Sequence, residues 1–442
     1  MQAENVGREE VPFVAFVGID WADRRHSWAL RIAGGSDLEQ GILQHSPEAV
    51  EQWASRLAQR FNGRPVAIAI EQARGSLVFM LSKYSHLVLF PVHPAAMANY
   101  RKSFRPSGAK SDLNDAFLLL DILTRHGKKL RQLNPDTEET RALQFLVEER
   151  RKFVHEKTRH SNRLTAYLKQ YFPQILDWFT DITSPIVGDL LERWPTLQEL
   201  QAAKACTLRH FFAGHNCHRA ELIEKRLSEI RRAVPATADQ AVLNSLSSAV
   251  TAVVRILREV RQAITGFDEQ IEKSAQQHPD FAIFDSFPGA GPVLAPRLIA
   301  ALGTQRDRYT SAYQIQCYSG IAPVMESSGK QHWVHCRWAC PKFLRQTFHQ
   351  WALQSIKYSD WAKAYYEQQR ARGKSCHTAL RALAFKWIRI LFRCWQDRQP
   401  YNETLYKGSL QGRIDRQSLG EPSVQIVWKN IAGFSKVSAV RT

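Results

Sequence analysis

The chain has 442 residues, 44% of them hydrophobic and 23% charged, with 22 Gly and 19 Pro. That composition excludes disorder throughout and the collagen-like and low-complexity classes, and the length allows two or three domains. Lys and Arg total 60 against 42 Asp and Glu, a formal charge of +18, which calls for a polyanionic partner, with nucleic acid ahead of an anionic membrane.

No apolar run approaches the roughly 20 residues that a bilayer span needs. The opening residues (MQAENVGREE) have neither a basic start nor an apolar stretch, and seven scattered cysteines read as free thiols. The expectation is an unsecreted chain with no membrane role.

In chain order, FVAFVGID (13–20), HSWALRIA (26–33) and QGILQH (40–45) read as strands. Ser46-Pro47 opens a helix with Val50, Trp53, Leu57 and Phe61 at helical spacing, and Asn62-Gly63 stops it. VAIAIE (66–71) and LVLFPVH (87–93) read as two more strands, with a helical pattern at 110–126. Three strands, a helix, then strands alternating with helices imply a mixed sheet covered by helices, an α/β domain over residues 1–130.

A helical, strongly charged stretch follows at 138–170, and a second helical region runs over 219–277, broken near Pro235. Val250, Val253, Val254, Ile256, Leu257, Val260 and Ile264 trace an apolar stripe in the latter. These long helices (131–280) either pack together and mediate self-association or belong to an ordinary bundle. SFPGAGPVLAPRLIAALG (286–303) has a Gly-rich hairpin before a small-residue helix. It opens a mostly helical, aromatic and basic region over 281–402, and a polar tail occupies 403–442.

Two acids end apolar strands, Asp20 and Glu71, and such positions point into the crevice at the carboxyl end of a sheet. A buried carboxylate is costly unless paired or bound to a cation. Asp112 and Asp115, three apart in a helical pattern, share a face. Four such oxygen ligands suit Mg2+ or Mn2+, and two ions roughly 4 Å apart could serve phosphodiester chemistry. Taken singly, Asp112 reads equally well as a helix cap and Asp115 as a solvated side chain.

The order Asp…Glu…Asp-x-x-Asp resembles a ribonuclease H-like, RuvC-type nuclease domain. The flanking text (VGIDWADRRHSWAL, AIEQARG and VHPAAMANYRKSFRPSGAKSDLNDAFLLLDIL) resembles the DEDD transposases of bacterial insertion sequences, whose studied members are guided by a bridge RNA. CYSGIAPVMESSGKQHWVHCRWACPKFLRQTFHQWALQSI (317–356) resembles that family's second domain, where a Gly-x-x-Pro (Gly320, Pro323) precedes a Ser-Gly.

The resemblance implies that Ser328, with Ser327 as the neighbouring alternative, is a nucleophile holding cleaved DNA as a phosphoserine, beside Asp20, Glu71, Asp112 and Asp115 on Mg2+ or Mn2+. It also implies donor and target DNA, a guide RNA, a dimer or tetramer whose composite sites join two subunits, and a bacterial cytoplasmic setting. Locally, Ser-Ser-Gly-Lys is also an ordinary flexible turn. The basic run after the serine (HWVHCRW) is shorter than the family pattern.

Arg101, Lys102, Arg105 and Lys110 before the last acid pair, and Lys330, Arg337, Lys342 and Arg345 around the serine, are the candidate nucleic-acid contacts. Arg150, Arg151, Lys152, Lys157, Arg159 and Arg163 form a candidate RNA-binding arm by composition. Cys336-x3-Cys340 lacks the second ligand pair of a zinc site, and Gly289-Ala290-Gly291 lacks the Gly-Lys-Ser/Thr of a nucleotide loop, although it resembles a helix-hairpin-helix contact to DNA. Two other functions stay open: a hydrolytic RuvC-type nuclease or junction resolvase, and a non-catalytic nucleic-acid-binding scaffold.

Overall fold

The computed structural model describes residues 13–104, 112–329 and 331–408. The chain divides into two compact units, 1–135 and 136–442.

The first unit is built on β1 (Ala15–Asp20), β2 (Arg25–Ile32), β3 (Glu39–Gln44), β4 (Val66–Ile70) and β5 (Leu87–Pro91), in the sheet order β3-β2-β1-β4-β5. β1 pairs antiparallel with β2 and parallel with β4. The sheet is mixed, as the element order requires, and of the ribonuclease H-like type.

One face carries α1 (Pro47–Arg60) and α2 (Ser76–Leu81) over Ala15, Val17, Ile19, Val66, Ile68 and Ile70. Ser46 caps α1, its Oγ accepting from the Ala49 N–H at 3.2 Å, and Asn62 and Gly63 end it in left-handed conformations (φ 51° and 69°).

The other face carries α4 (Asp112–His126), which follows α3 (Pro94–Phe104). Small residues make room for α4: Gly18, Ala29, Ala67 and Ala69 line its seat, with Ala116 and Leu120 facing Ala29. A Cβ at Gly18 would lie 2.1 Å from the Ala116 carbonyl oxygen and 2.4 Å from the Leu120 nitrogen.

In the second unit, α5 (Glu138–Tyr171) is followed by α6 (Gln174–Trp178), α7 (Pro185–Arg193), α8 (Leu197–Ala202), α9 (Ala205–Gly214), α10 (Ala220–Arg232) and α11 (Gln240–Gln276). α5 and α11 run antiparallel and join two cores. At one end Leu164 and Leu168 pack with Val250, Val253 and Leu257; at the other Leu143 and Val147 pack with Ile271 and Ala275. By length and composition α11 could cross a bilayer, which the search for an unbroken apolar run does not reveal because polar residues interrupt the stripe. Here Val250, Val253, Val254, Leu257 and Val260 are buried as a core stripe.

The remaining elements are α12 (Phe281–Asp285), α13 (Gly291–Leu302), α14 (Ala312–Tyr318), the hairpin β6 (Val324–Ser328) and β7 (Gln331–His335), α15 (Lys342–Ser355), α16 (Asp360–Ala371) and α17 (Cys376–Asp397). The tryptophans of this region are mostly structural. Trp351, Trp361 and Trp387 surround Phe287 and Tyr401, and each indole N–H is satisfied, by Pro288 O, Tyr401 Oη and Ser355 Oγ respectively. Residues 403–408, expected as tail, are helical: Ser359 Oγ donates to Glu403 at 3.1 Å and Lys407 pairs with Asp360 at 3.2 Å.

Replacing Gly18 with Ala should destabilise the first unit by at least about 2 kcal/mol, because the seat of α4 is backbone and cannot yield cheaply. Gly127→Ala, at a glycine with open space around it, serves as control. Equal urea midpoints for Gly18→Ala and the wild type would refute the close-packing argument.

Candidate functional site

Strand alternation decides which acids share a side. On β1, Ala15, Val17 and Ile19 face α1 and α2, so Phe16, Gly18 and Asp20 face α4. On β4, Ala67 and Ala69 face α4. Ile19 pairs with Ile70 in parallel register, so Asp20 and Glu71 are the next positions on neighbouring strands, and the alternation carries both to the α4 side.

Asp115 immediately precedes Ala116, whose carbonyl lies against Gly18, two residues before Asp20. Asp20 and Asp115 are buried (7% and 2% exposed), Glu71 is half-buried and Asp112 is exposed one turn earlier on α4.

Helix α3 grips α4 through two consecutive residues. Arg101 makes a two-pronged pair with Asp115, Nε to Oδ1 at 2.7 Å and Nη2 to Oδ2 at 2.8 Å. Tyr100 donates to Asp121 at 2.6 Å, and Arg125 donates to the other oxygen of that carboxylate. Burial first, then the Asp121 hydrogen bond, pushes the Tyr100 phenol up to about 12. Burial opposes the charge on Asp121, yet the bonds from Tyr100 and Arg125 hold its carboxyl below the ordinary range.

Arg101, expected beside a nucleic-acid strand, is therefore committed to an acid of the site. Lys102 is exposed, while Arg105 and Lys110 lie outside the described residues. The carboxylate oxygens are hard donors of the kind Mg2+ and Mn2+ prefer. Among the described residues, however, no group of three or more His, Cys, Asp or Glu side chains is gathered closely enough to hold an ion, and Arg101 covers both oxygens of Asp115.

Sequence reasoning missed a histidine relay on the opposite face. The Ala22 N–H donates to His26 Nδ1 at 3.2 Å, so the His26 proton sits on Nε2 and donates to His45 Nδ1 at 2.9 Å. His45 then carries its proton on Nε2, which reaches Ser76 Oγ at 3.1 Å. Two imidazoles thus connect the loop after Asp20 to the start of α2, five residues beyond Glu71. Burial, then His45, pushes His26 down to about 4. The one signal in the sequence was a histidine at an inward position of an apolar strand.

In the second unit, Ser328 ends β6 beside the turn at Gly329 (φ 57°) and pairs with Gln331, while Ser327 pairs with His332. Both serines are exposed, as are Met325, Trp333 and Val334 on the same hairpin. Among the described residues no acid or histidine hydrogen-bonds to Ser328; Lys330 lies outside them. The carbonyls of Arg337 and Trp338 and the Cys340 Sγ accept from Arg345, and Cys340 packs against Gly320 (φ 72°), where a Cβ would lie 2.4 Å from the sulfur. Arg337 reaches Cys317 Sγ at 3.9 Å. Arg337 and Arg345 thus brace the foot of the hairpin, leaving Lys342 and the Trp338 ring (79% exposed) open to solvent.

Gly289 packs against the backbone of Gln354 and Ser355 on α15. On α5, Arg150 pairs with Asp268, Lys152 with Glu149 and Arg159 with Glu156, so part of the basic arm is neutralised locally.

Residues 17–173 match the DEDD IS110 family model, described as a transposase, and residues 282–367 match the model described as transposase, IS116/IS110/IS902 family. A mini-circle protein of Streptomyces coelicolor, named as a transposase for IS117, is 29% identical over 401 residues, 89% of this chain and 97% of the relative. The 43.6 kDa protein of insertion element IS110 from the same organism is 27% identical over 89% of this chain and 96% of its own length. The 42 kDa protein of IS900 from Mycobacterium paratuberculosis is 25% identical over 77% of this chain and 85% of its own length.

The relay predicts a pH effect. His26 is fully buried and its folded pKa lies below the unfolded value, so its contribution is complete above about pH 6.5 and is lost as pH falls toward about 4. The shift amounts to about 3 kcal/mol at most. The melting temperature of wild type should fall more between about pH 7 and about pH 5 than that of His26→Gln. Parallel curves would show that His26 is not the responsible group.

Proposed function

The chain belongs to the DEDD transposases of the IS110 type, and from that premise we propose that it cuts and rejoins DNA with Asp20, Glu71, Asp112 and Asp115 around a divalent cation and Ser328 as nucleophile. The observation that carries the reading is that Asp20 and Glu71 directly follow Ile19 and Ile70, the last paired residues of β1 and β4, beside the Gly18 contact that seats Asp115. Asp20, Glu71, Asp112 and Asp115 would hold such a cation, which would supply positive charge at the scissile phosphate. Arg101 stands in for that charge by holding Asp115, and must release it for the carboxylate to serve as ligand.

Ser328 sits where a phosphodiester can reach it, exposed at the end of a hairpin whose foot is braced by Arg345. Its Oγ attacks phosphorus, the Oγ–P bond forms, and the P–O3′ bond breaks with the proton passing to the departing 3′ oxygen. The 5′ phosphate then stays on the serine until a 3′ hydroxyl displaces it and restores the Ser328 hydroxyl. No base touches Ser328 among the described residues, which fits activation by the acid site of another subunit, in a dimer or tetramer. Sequence choice falls to a guide RNA pairing with donor and target DNA, in the bacterial cytoplasm. The lack of a local base equally favours a second reading, a hydrolytic nuclease that uses the acids alone.

A strand-exchange assay in cells, with the gene and its native flanks, separates the two. Recombinant junctions should form with wild type and Ser327→Ala, and fall at least about a thousandfold with Asp20→Asn and with Ser328→Ala. Junctions surviving in Ser328→Ala but not Asp20→Asn would replace the covalent route with hydrolysis. Loss in Ser327→Ala alone would move the nucleophile by one residue.

A further inference from the structure

Many arginines of the second unit pair with a carboxylate, and two that lie over one ring do not. Arg151 on α5 and Arg297 on α13 both lie over Phe343 of α15, their guanidinium carbons 5.8 and 5.7 Å from the ring centroid. Arg297 is held by two neutral side chains of α15, Gln350 and Thr347, the latter at 3.0 Å. The Arg151 Nε is buried and has no hydrogen-bond partner.

Arg150 beside them is neutralised by Asp268, but among the described residues neither Arg151 nor Arg297 pairs with a carboxylate. Burial first, then Arg150 and Arg151, pushes Arg297 down to about 10. Two like charges held across one ring and partly removed from water repel each other, and the cost is relieved when an anion arrives. Each guanidinium presents several N–H groups in a fixed plane, and Arg297 uses two of them on α15, leaving donors for oxygen atoms.

We propose that Arg151 and Arg297, both lying over Phe343, form a binding site for a backbone phosphate of nucleic acid. Arg297, absent from the sequence-derived contacts, is the residue that fixes the site, because Gln350 and Thr347 orient its fork. The site brings together α5, α13 and α15, the last being the helix that follows the serine hairpin. The phosphodiester of DNA and that of RNA offer the same oxygens, so the chemistry recognised is the phosphate itself. The inference rests on the chain handling nucleic acid at all.

The test is fluorescence anisotropy of the full-length protein with a DNA duplex, a single DNA strand and an RNA hairpin, each over a range of salt. Arg151→Gln and Arg297→Gln should each weaken at least one of these probes about tenfold, and lower its salt slope by roughly 0.7–0.9, the signature of one lost phosphate contact. Which probe responds tells whether DNA or RNA supplies the phosphate. Arg297→Lys should keep most of the slope, and Arg393→Gln, an exposed control paired with Asp397, should change neither quantity.

Melting temperature distinguishes a structural role. Arg151→Gln should leave it unchanged or raise it, since a repulsion is removed. Unaltered affinity and slope in both Gln variants overturn the site, as does a fall in Arg297→Lys equal to that in Arg297→Gln accompanied by lost thermal stability. Failure of the wild type to bind any of the three probes would instead overturn the wider reading of the chain as a nucleic-acid enzyme.

Discussion

The first unit depends on the approach of α4 to β1 at Gly18. With hydrogen in place of a side chain, the Ala116 carbonyl and the Leu120 amide settle directly on the strand. Ala29, Ala67 and Ala69 extend the same shallow seat across the neighbouring strands. A larger residue anywhere along it would lift the helix, and with it Asp115, from the side of the sheet where Asp20 and Glu71 stand. Packing geometry and the arrangement of acids are therefore one constraint, met by small residues that a hydrophobicity pattern treats as filler.

Charge does the rest of the positioning. Tyr100 and Arg101 bind Asp121 and Asp115, two acids on α4, so α3 is pinned to α4 at two heights by adjacent residues. The pairing of Asp115 with Arg101 keeps a buried carboxylate compensated, which is how an acid 2% exposed is tolerated. The histidine relay works from the other face, with Ala22, His26, His45 and Ser76 linking the segments that follow the two strand-terminal acids. Both devices hold backbone segments near the acids.

The second unit follows a different logic. Two long antiparallel helices carry apolar residues at both ends and so serve two cores at once. Trp351, Trp361 and Trp387, whose indole N–H groups find internal acceptors, close the core around Phe287, while Trp333 and Trp338 stay outside with the serine hairpin. A two-stranded hairpin exposed on every described residue beyond Val324 has little burial to hold it. Its order comes from its foot, where Arg345, Cys340 and Gly320 interlock.

Local chemistry was legible in the residues. The apolar runs, the Ser46 cap, the Asn62-Gly63 stop and the 3.6-residue stripe of α11 are near-neighbour properties, and they place β1 to β5, α1, α5 and α11 close to their observed bounds. Asp20 and Glu71 were equally visible, because carboxylates at the ends of apolar strands stand out against their surroundings, while Asp112 and Asp115 drew notice through their spacing and the family resemblance. What each charged side chain touches was not legible, since the partner is decided by elements remote in sequence. Arg101 looks like a solvated cation until α3 is laid against α4, Arg337 and Arg345 look like phosphate ligands until the hairpin folds back over them, and His26 looks like one more strand residue until His45 arrives from β3's far end. The sequence by itself determined most of the secondary elements and singled out the acids now proposed for the site. Only the tertiary structure decided which charges are already paired and which, like Arg151 and Arg297, are left for a ligand, because pairing depends on distance in space and burial, and neither is a property of a linear pattern.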